Sequence, residues 1–266
     1  MLSFWLRIPL TYFSQEPILN KVLLITGGSR GIGAATAHLA AAQGYAVAVN
    51  YSHKASAAEA VVRAIQAQGG KAIAVQADVA NEAQVLAMFA TVDAQLGRLT
   101  ALVNCAGVVD VAARVDEMEV ARWRRLLDIN VIGTMLCARE AVRRMSTRHG
   151  GAGGAIVNLS SVAATLGSPG QYVDYAASKG AIDSFTVGLG REVAAEGIRV
   201  NAVRPGVIDT DIHASGGQPE RAQQLAPTIP MRRPGTADEV AQAIVWLLSD
   251  AASYCSGSIV DVGGGR

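Results

Sequence analysis

The stretch Val22-Leu-Leu-Ile-Thr26-Gly-Gly-Ser-Arg-Gly-Ile-Gly33 decides how the chain folds. It begins with four apolar residues in a row, which is typical of a strand covered on both faces. Glycine then occupies four of seven positions, and an alanine-rich segment of helical period follows from Ala34 to Gln43. A strand, a glycine turn and a helix in this order place the N–H groups of the helix start where they can bind a phosphate.

The same alternation continues along the chain from Lys21 onward. Short β-rich runs are separated by longer alanine-rich segments, and no proline- or serine-rich linker divides them. This order predicts an α/β fold with a parallel, doubly wound sheet, formed by a single domain over residues 21–266. The predicted strands are Val22 to Thr26, Ala46 to Asn50, Ala72 to Gln76, Ala101 to Asn104, Ala155 to Leu159, Ile198 to Val203 and Ser258 to Val262.

Several helix ends can be predicted from local signals. Gly44 and the pair Gly69-Gly70 follow the first two helical segments, where a left-handed residue often ends a helix. Near the end of the chain, Thr236-Ala-Asp-Glu239 has the spacing of a capping box and precedes an apolar helical face. It therefore predicts the start of the last helix.

Composition excludes several classes of protein. The chain has 266 residues, of which 50% are hydrophobic and 17% charged, enough for one substantial core. The formal net charge is +1 and the basic residues are not clustered, so neither nucleic acid nor a membrane surface is expected as a partner. The three cysteines lie far apart and the four histidines are scattered, so no disulfide framework and no metal site is predicted.

Residues 1–20 are predicted to be an N-terminal extension outside the fold. The apolar run Phe4-Trp5-Leu6 is interrupted by Arg7 and Pro9 before it reaches the length of a secretory leader or a membrane span. We expect a flexible tail or the product of an upstream start codon, with a tail that docks on a neighbouring subunit as the alternative. The protein is accordingly expected in the cytoplasm.

The glycine turn favours a dinucleotide over a nucleoside triphosphate. Its spacing departs from GxGxxG, and by itself it is compatible with tight packing of a helix on a strand. However, it lacks the lysine and following hydroxyl of the GxxxxGK turn, which contact the terminal phosphates and magnesium of a triphosphate. A dinucleotide is the better occupant.

Charge around the second strand favours NADP(H) over NAD(H). In dinucleotide folds an acidic residue after this strand binds the ribose 2′-hydroxyl, and here Asn50-Tyr-Ser-His-Lys54 contains none. Arg30 in the glycine turn, together with Ser52, His53 and Lys54, could bind a 2′-phosphate instead. The alternative is that Arg30 and Lys54 are solvated surface charges, and NAD(H) remains a possible cofactor.

A second motif, Tyr175-Ala-Ala-Ser-Lys179, points to acid/base chemistry. Spacing of i,i+4 puts the phenol and the ammonium on one face of a helix. A free tyrosine has a pKa near 10, and a nearby positive charge is expected to lower it, so that Tyr175 can exchange a proton near neutral pH. An exposed tyrosine resting on a lysine side chain is the simpler structural alternative.

Several motifs together resemble the short-chain dehydrogenase/reductase family over residues 21–266. Thr26 to Gly33 is similar to its TGxxxGxG turn, Asp78 to its Asp before the third helix, and Asn104-Cys105-Ala106-Gly107 to its NNAG. The sequence around Tyr175 looks most like that of bacterial members of the glucose 1-dehydrogenase-like and 3-oxoacyl-ACP-reductase-like branch. The resemblance implies a Rossmann-type three-layer α/β/α sandwich whose seven parallel strands have the order 3-2-1-4-5-6-7.

The resemblance also implies which residues contact the cofactor. Cys105 departs from the family pattern, where an amide usually supports the middle strands, so local hydrogen bonding should differ while cofactor binding is retained. The expected cofactor-binding residues are Gly27, Ser29, Arg30, Gly31, Ile32, Gly33, Asn50, Tyr51, Ser52, His53, Asp78, Val79, Asn104, Ala106, Gly107, Tyr175, Lys179, Pro205, Gly206, Val207, Ile208 and Thr210.

Four catalytic residues are implied by the same resemblance. Ser161 would polarise the carbonyl oxygen, with Ser160 as the alternative, and Tyr175 would donate the proton. Lys179 would lower the tyrosine pKa and bind ribose, and Asn130 would hold a water linked to the lysine, unless it only caps or bends its helix. The family's substrates are small carbonyl compounds or alcohols.

Three further expectations concern specificity, assembly and rival functions. Residues 209–230 are expected to form a mobile substrate lid. The resemblance implies a homotetramer, or a homodimer, formed through the last strand and the helices that carry Asn130 and Tyr175. The rivals are a catalytically silent NADP(H)-binding sensor or scaffold, and a flavodoxin-like phosphate-binding module, which would not need the Tyr175 motif.

Overall fold

Seven parallel strands form the centre of the protein. The computed structural model describes residues 21–266, apart from the side chain of His213, so the predicted extension lies outside the described residues. The strand order is β3-β2-β1-β4-β5-β6-β7, which confirms the predicted sheet. The strands are β1 (Val22–Thr26), β2 (Ala46–Tyr51), β3 (Ala72–Gln76), β4 (Ala101–Asn104), β5 (Gly154–Leu159), β6 (Ile198–Pro205) and β7 (Ile259–Val262).

The strands β1, β3 and β4 have the predicted boundaries, and the other four differ from the prediction by one or two residues. The second strand includes Tyr51, which pairs with Gln76, and the sixth extends to Pro205, which pairs with Val262. The strands were predicted from runs of apolar residues. In the structure, a strand continues as long as the backbone of the neighbouring strand can form hydrogen bonds with it. Both extensions lie at the carboxyl edge of the sheet.

Helices cover both faces of the sheet. They are α1 (Gly31–Ala42), α2 (Ala55–Ala67), α3 (Glu82–Leu96), α4 (Val120–Leu127), α5 (Gly133–Met145), α6 (Ala163–Leu166), α7 (Val173–Glu192), α8 (Ile212–Ser215), α9 (Arg221–Leu225) and α10 (Ala237–Leu248). Side chains of α1, α2 and α10 fill one core, and those of α3 and α5 fill the other. The strand β1 serves both, because Leu23 and Ile25 enter the first core and Val22 and Leu24 the second.

The predicted helix ends are confirmed where a specific hydrogen bond or a left-handed residue fixes them. Gly44 and Gly69 have φ angles of 85° and 80°. At the start of α10, the Thr236 hydroxyl accepts a hydrogen bond from the Glu239 N–H at 3.2 Å, and the Glu239 carboxylate accepts one from the Thr236 N–H at 2.8 Å. The first helix, by contrast, begins at Gly31 rather than Ala34, inside the glycine turn.

Candidate functional site

A cavity of about 730 Å³ opens at the carboxyl edge of the sheet. It is bounded by the segments that follow β1, β2, β4, β5 and β6, which is where ligands bind in folds of this kind. Every predicted cofactor-binding residue lines it except Gly33 and Asn104. Its volume is within the range of small-molecule and cofactor pockets.

The glycine turn allows backbone segments to approach each other closely. Gly27 has a φ angle of +63°, and a Cβ atom built there would lie 2.9 Å from the Ala106 Cα. A Cβ atom on Gly33 would lie 2.5 Å from the Gly27 carbonyl oxygen, so Gly33 packs against the turn and does not face the cavity. Gly31 and Ile32 bring the start of α1 to the cavity wall, as a pyrophosphate site requires.

Asn104 supports the sheet and does not line the cavity, whereas the next residue, Cys105, does. The Asn104 side chain is buried and donates to the Asn158 side-chain oxygen at 2.9 Å, which links β4 to β5. The N–H groups of Cys105 and Ala106 both donate to the Thr26 hydroxyl at 3.1 Å. These backbone hydrogen bonds fix the segment without a side-chain amide at position 105, and burial raises the pKa of the Cys105 thiol to about 11.

The predicted 2′-phosphate end of the cavity carries positive charge. Arg30, His53 and Lys54 line it, and the Ser52 hydroxyl lies 2.8 Å from the His53 Nδ1. The Asn50 side chain connects this end to the glycine turn, because its oxygen accepts from the Gly27 N–H at 3.2 Å. The residues present therefore fit a dinucleotide.

Tyr175 and Lys179 lie on the first turns of α7 and line the same cavity. The Lys179 Nζ is 5.6 Å from the centre of the Tyr175 ring and donates to the Leu159 carbonyl at 2.6 Å. The Ser161 side chain lies close enough to the Tyr175 hydroxyl to oppose the rise in its pKa, whereas the Ser160 hydroxyl donates to the Lys179 carbonyl at 3.2 Å. The geometry thus favours Ser161 over Ser160 as the serine beside Tyr175.

The pKa predicted for Tyr175 is wrong in direction. Burial raises the pKa of Tyr175 to about 12, although the hydrogen bond from Ser161 opposes this shift. Burial also lowers the pKa of Lys179 to about 8. Loss of hydration outweighs the attraction expected between the ammonium and a phenolate. At neutral pH the site holds a neutral phenol beside a charged ammonium.

Asn130 does not line the cavity but fixes its wall. It lies in one turn of π-helix, Asp128–Ile132, and its side chain binds both the N–H (2.8 Å) and the carbonyl (2.9 Å) of Val108. Its amide also donates to the Ser178 hydroxyl at 3.2 Å. A Cβ atom on Gly107 would lie 3.4 Å from the Asn130 Oδ1 and 3.6 Å from the Lys179 Nζ, so all three groups adjoin.

An ion pair that the sequence analysis missed holds the start of α7. The Asp174 carboxylate accepts from the Arg122 Nε at 2.7 Å and from its Nη2 at 3.1 Å, with both side chains largely buried. The same carboxylate accepts from the Tyr175 N–H at 2.9 Å. Because the two partners are 52 residues apart, no short motif could have revealed the pair.

The predicted lid, residues 209–230, contains α8 and α9 and closes one side of the cavity. Arg221 and Leu225 of this segment line the cavity, as does Tyr172, which precedes Tyr175 by three residues. Arg221 and Leu225 fall within the predicted lid, whereas Tyr172 was not predicted. Tyr172 could have been found from its i,i+3 spacing to Tyr175, whereas Arg221 has no sequence signal.

The described residues were compared with the requirements of a metal site and of a membrane-spanning helix. Residues 21–266 contain no group of three or more His, Cys, Asp or Glu side chains arranged to hold a metal ion. No helix within the same residues is long and apolar enough to cross a membrane.

Known proteins match almost the full length of the chain. Residues 27–266 match the profile of a family described as Enoyl-(Acyl carrier protein) reductase. The uncharacterized oxidoreductase YgfF of Escherichia coli (strain K12) is 58% identical over 245 residues, which cover 92% of this chain and 99% of that protein. A 3-oxoacyl-(acyl-carrier-protein) reductase of Synechocystis sp. is 40% identical over 246 residues, covering 92% of this chain and 96% of that protein.

Solved structures agree with these matches. A dehydrogenase/reductase from Sinorhizobium meliloti 1021 has a TM-score of 0.85 and 32% identity, covering 92% of this chain and 94% of that chain. A mutant short-chain dehydrogenase/reductase of Serratia marcescens has a TM-score of 0.84 and 34% identity, with coverage of 92% and 97%. The protein therefore belongs to the short-chain dehydrogenase/reductase family, in its 3-oxoacyl-(acyl-carrier-protein) reductase-like branch, and is an oxidoreductase that uses a nicotinamide cofactor.

Proposed function

We propose that the protein transfers a hydride between NADP(H) and a small carbonyl compound or secondary alcohol, with Tyr175 as the general acid/base. The observation that carries this proposal is the position of Tyr175. It lies beside Ser161, adjoins the buried Lys179, and shares one cavity with the glycine turn. A silent NADP(H)-binding sensor would not need this arrangement.

The chain's own residues would act on the substrate oxygen. A bound reduced nicotinamide supplies the hydride, and its oxidised form accepts it in the reverse direction. Ser161 donates a hydrogen bond to the carbonyl oxygen, and Tyr175 gives that oxygen its proton as negative charge develops on it. Lys179 stabilises the phenolate that remains through its positive charge. Asn130 is a positioning residue, because it holds Val108 and Ser178 beside the lysine.

Replacing Tyr175 with Phe removes the proton donor and leaves the ring in place. We expect turnover of a carbonyl substrate to fall by about 10²- to 10⁴-fold. Affinity for NADPH, measured by fluorescence titration, should change little. Ser161→Ala should lower turnover more than Ser160→Ala does. Tyr45→Phe is the matched control, because Tyr45 packs in the first core and does not line the cavity. Unchanged turnover in the Tyr175 variant would contradict the proposed role.

We propose a preference for NADP(H) over NAD(H) because the positively charged Arg30 and Lys54 line the cavity. A 2′-phosphate held by an arginine makes charge-assisted hydrogen bonds, and we expect NADPH to bind at least about tenfold more tightly than NADH. Arg30→Gln should reduce this difference by weakening NADPH binding alone. Arg63→Gln is the control, since Arg63 pairs with Glu59 on the exposed side of α2. Equal dissociation constants for both cofactors in the parent protein would refute the preference.

Self-association is proposed from two exposed apolar patches. The first comprises Val120, Leu127 and Ile132 on α4 and the π-helical turn, and the second comprises Trp246 and Tyr254 near β7. Two separate patches can form two isologous interfaces, which give a homotetramer, whereas one gives a homodimer. Sedimentation should show four copies of the 27.5 kDa chain, and two copies for Ile132→Asp. A monomer in the parent protein would contradict this proposal.

The cytoplasm is proposed as the compartment in which the reaction takes place. All three cysteines are free thiols, which suits a reducing environment. Recovery of the protein with a secreted fraction after cell fractionation would contradict this location.

A further inference from the structure

We propose that the substrate carries a carboxylate group and that Arg221 binds it; this inference rests on the proposed function and specifies its substrate class. Arg221 begins α9 in the predicted lid and lines the same cavity as Tyr175. A cation on the substrate side of the cavity has no part in the proton transfer assigned to Tyr175, Ser161 and Lys179. Its chemistry suits a negatively charged part of the substrate.

The guanidinium of Arg221 is held rigidly by neutral groups. It stacks on the ring of Tyr172, with 5.1 Å between its Cζ and the ring centre, and Tyr172 is itself buried. Its Nη2 donates to the Gln171 side-chain oxygen at 2.6 Å and its Nη1 to the Gln218 side-chain oxygen at 2.8 Å. Two of the five N–H donors of an arginine are used in these hydrogen bonds.

The charge of Arg221 is not neutralised by the described part of the chain. None of the acidic side chains in residues 21–266 forms an ion pair with it. Arg125, which lines the same cavity, differs in this respect, because Asp110 binds its Nη2. Asp211 of the lid also lines the cavity, but it is exposed and does not pair with Arg221.

Stacking and two amide contacts orient the guanidinium before a ligand arrives. A planar, pre-oriented guanidinium with spare donors matches the two oxygens of a carboxylate. The alternative is that Arg221 only fastens the lid, since Gln171 precedes α7 and Gln218 belongs to the lid. The two roles predict different substrate dependence. Fastening the lid would affect charged and neutral substrates equally, whereas binding a carboxylate would affect only the charged one.

Binding of a pair of unreactive probes separates these roles without requiring turnover. Pentanoate and its neutral isostere pentanamide are titrated calorimetrically into the protein saturated with NADP⁺. We expect pentanoate to bind at least about tenfold more tightly than pentanamide. The preference should disappear in Arg221→Gln and persist in Arg191→Gln, which removes an exposed arginine from the far end of α7. Equal affinities in the parent, or a preference retained in Arg221→Gln, would overturn the inference.

A third variant tests the fastening role directly. Gln218→Ala removes one contact that holds Arg221 while it leaves the charge in place. The carboxylate preference should persist in this variant. If Gln218→Ala and Arg221→Gln instead weaken the binding of pentanoate and pentanamide by the same factor, Arg221 only fastens the lid.

Turnover then distinguishes this inference from the proposed function. Reduction of 5-oxohexanoate and 5-oxohexanamide by NADPH is compared in the parent protein and in Arg221→Gln. A kcat/KM ratio that favours the acid by at least about tenfold in the parent, and falls towards one in the variant, supports both proposals. If pentanoate binds through Arg221 but neither oxo compound nor the corresponding alcohols react, the carboxylate site stands and the proposed reaction fails.

Discussion

The buried ammonium group of Lys179 is the constraint on which the site depends. A charge removed from water is costly unless other groups replace its hydration. Here the Leu159 carbonyl accepts a hydrogen bond from the Lys179 Nζ at 2.6 Å, and the carboxylate of Asp183, one turn further along α7, opposes the fall in the lysine pKa. Arg204 of β6 binds that carboxylate through its Nε and Nη2 at 3.0 and 2.8 Å. The position of Lys179 is thereby tied to two strands, and Tyr175 follows because it lies one helical turn earlier.

The remaining parts of the site meet because parallel strands deliver them to one edge. The glycine turn follows β1, the positive segment follows β2, and Ser161 follows β5. Asn130 joins this edge to α7 through Val108 and Ser178. The proposed cofactor pocket and the proposed acid/base group therefore lie at the same edge of one sheet.

Much of this could be predicted because the determining signals are local. Apolar runs and glycines locate the strands and the turn, and the i,i+4 spacing of Tyr175 and Lys179 places both groups on one face of a helix. What escaped prediction depends on distant partners. Asn104 links two strands instead of facing the cavity. Arg122 binds Asp174 from a different helix. Arg221 of the lid stacks on Tyr172, which precedes α7. The pKa of Tyr175 was misjudged for a related reason, because sequence spacing conveys proximity to a charge but not burial.

In the proposed mechanism, the charged form of Lys179 enables neutral Tyr175 to act as the acid. Burial lowers the pKa of Lys179 from 10.5 to about 8, so its charge is present below that pH and is lost above it, whereas Tyr175, with a pKa of about 12, keeps its proton. The most direct test is kcat/KM for carbonyl reduction by NADPH between pH 6 and 10, with 5-oxohexanoate as a substrate whose own charge is constant over that range. We expect a constant value up to about pH 8 and a decline of up to about tenfold per pH unit above it. A profile that stays flat to pH 10 would contradict it.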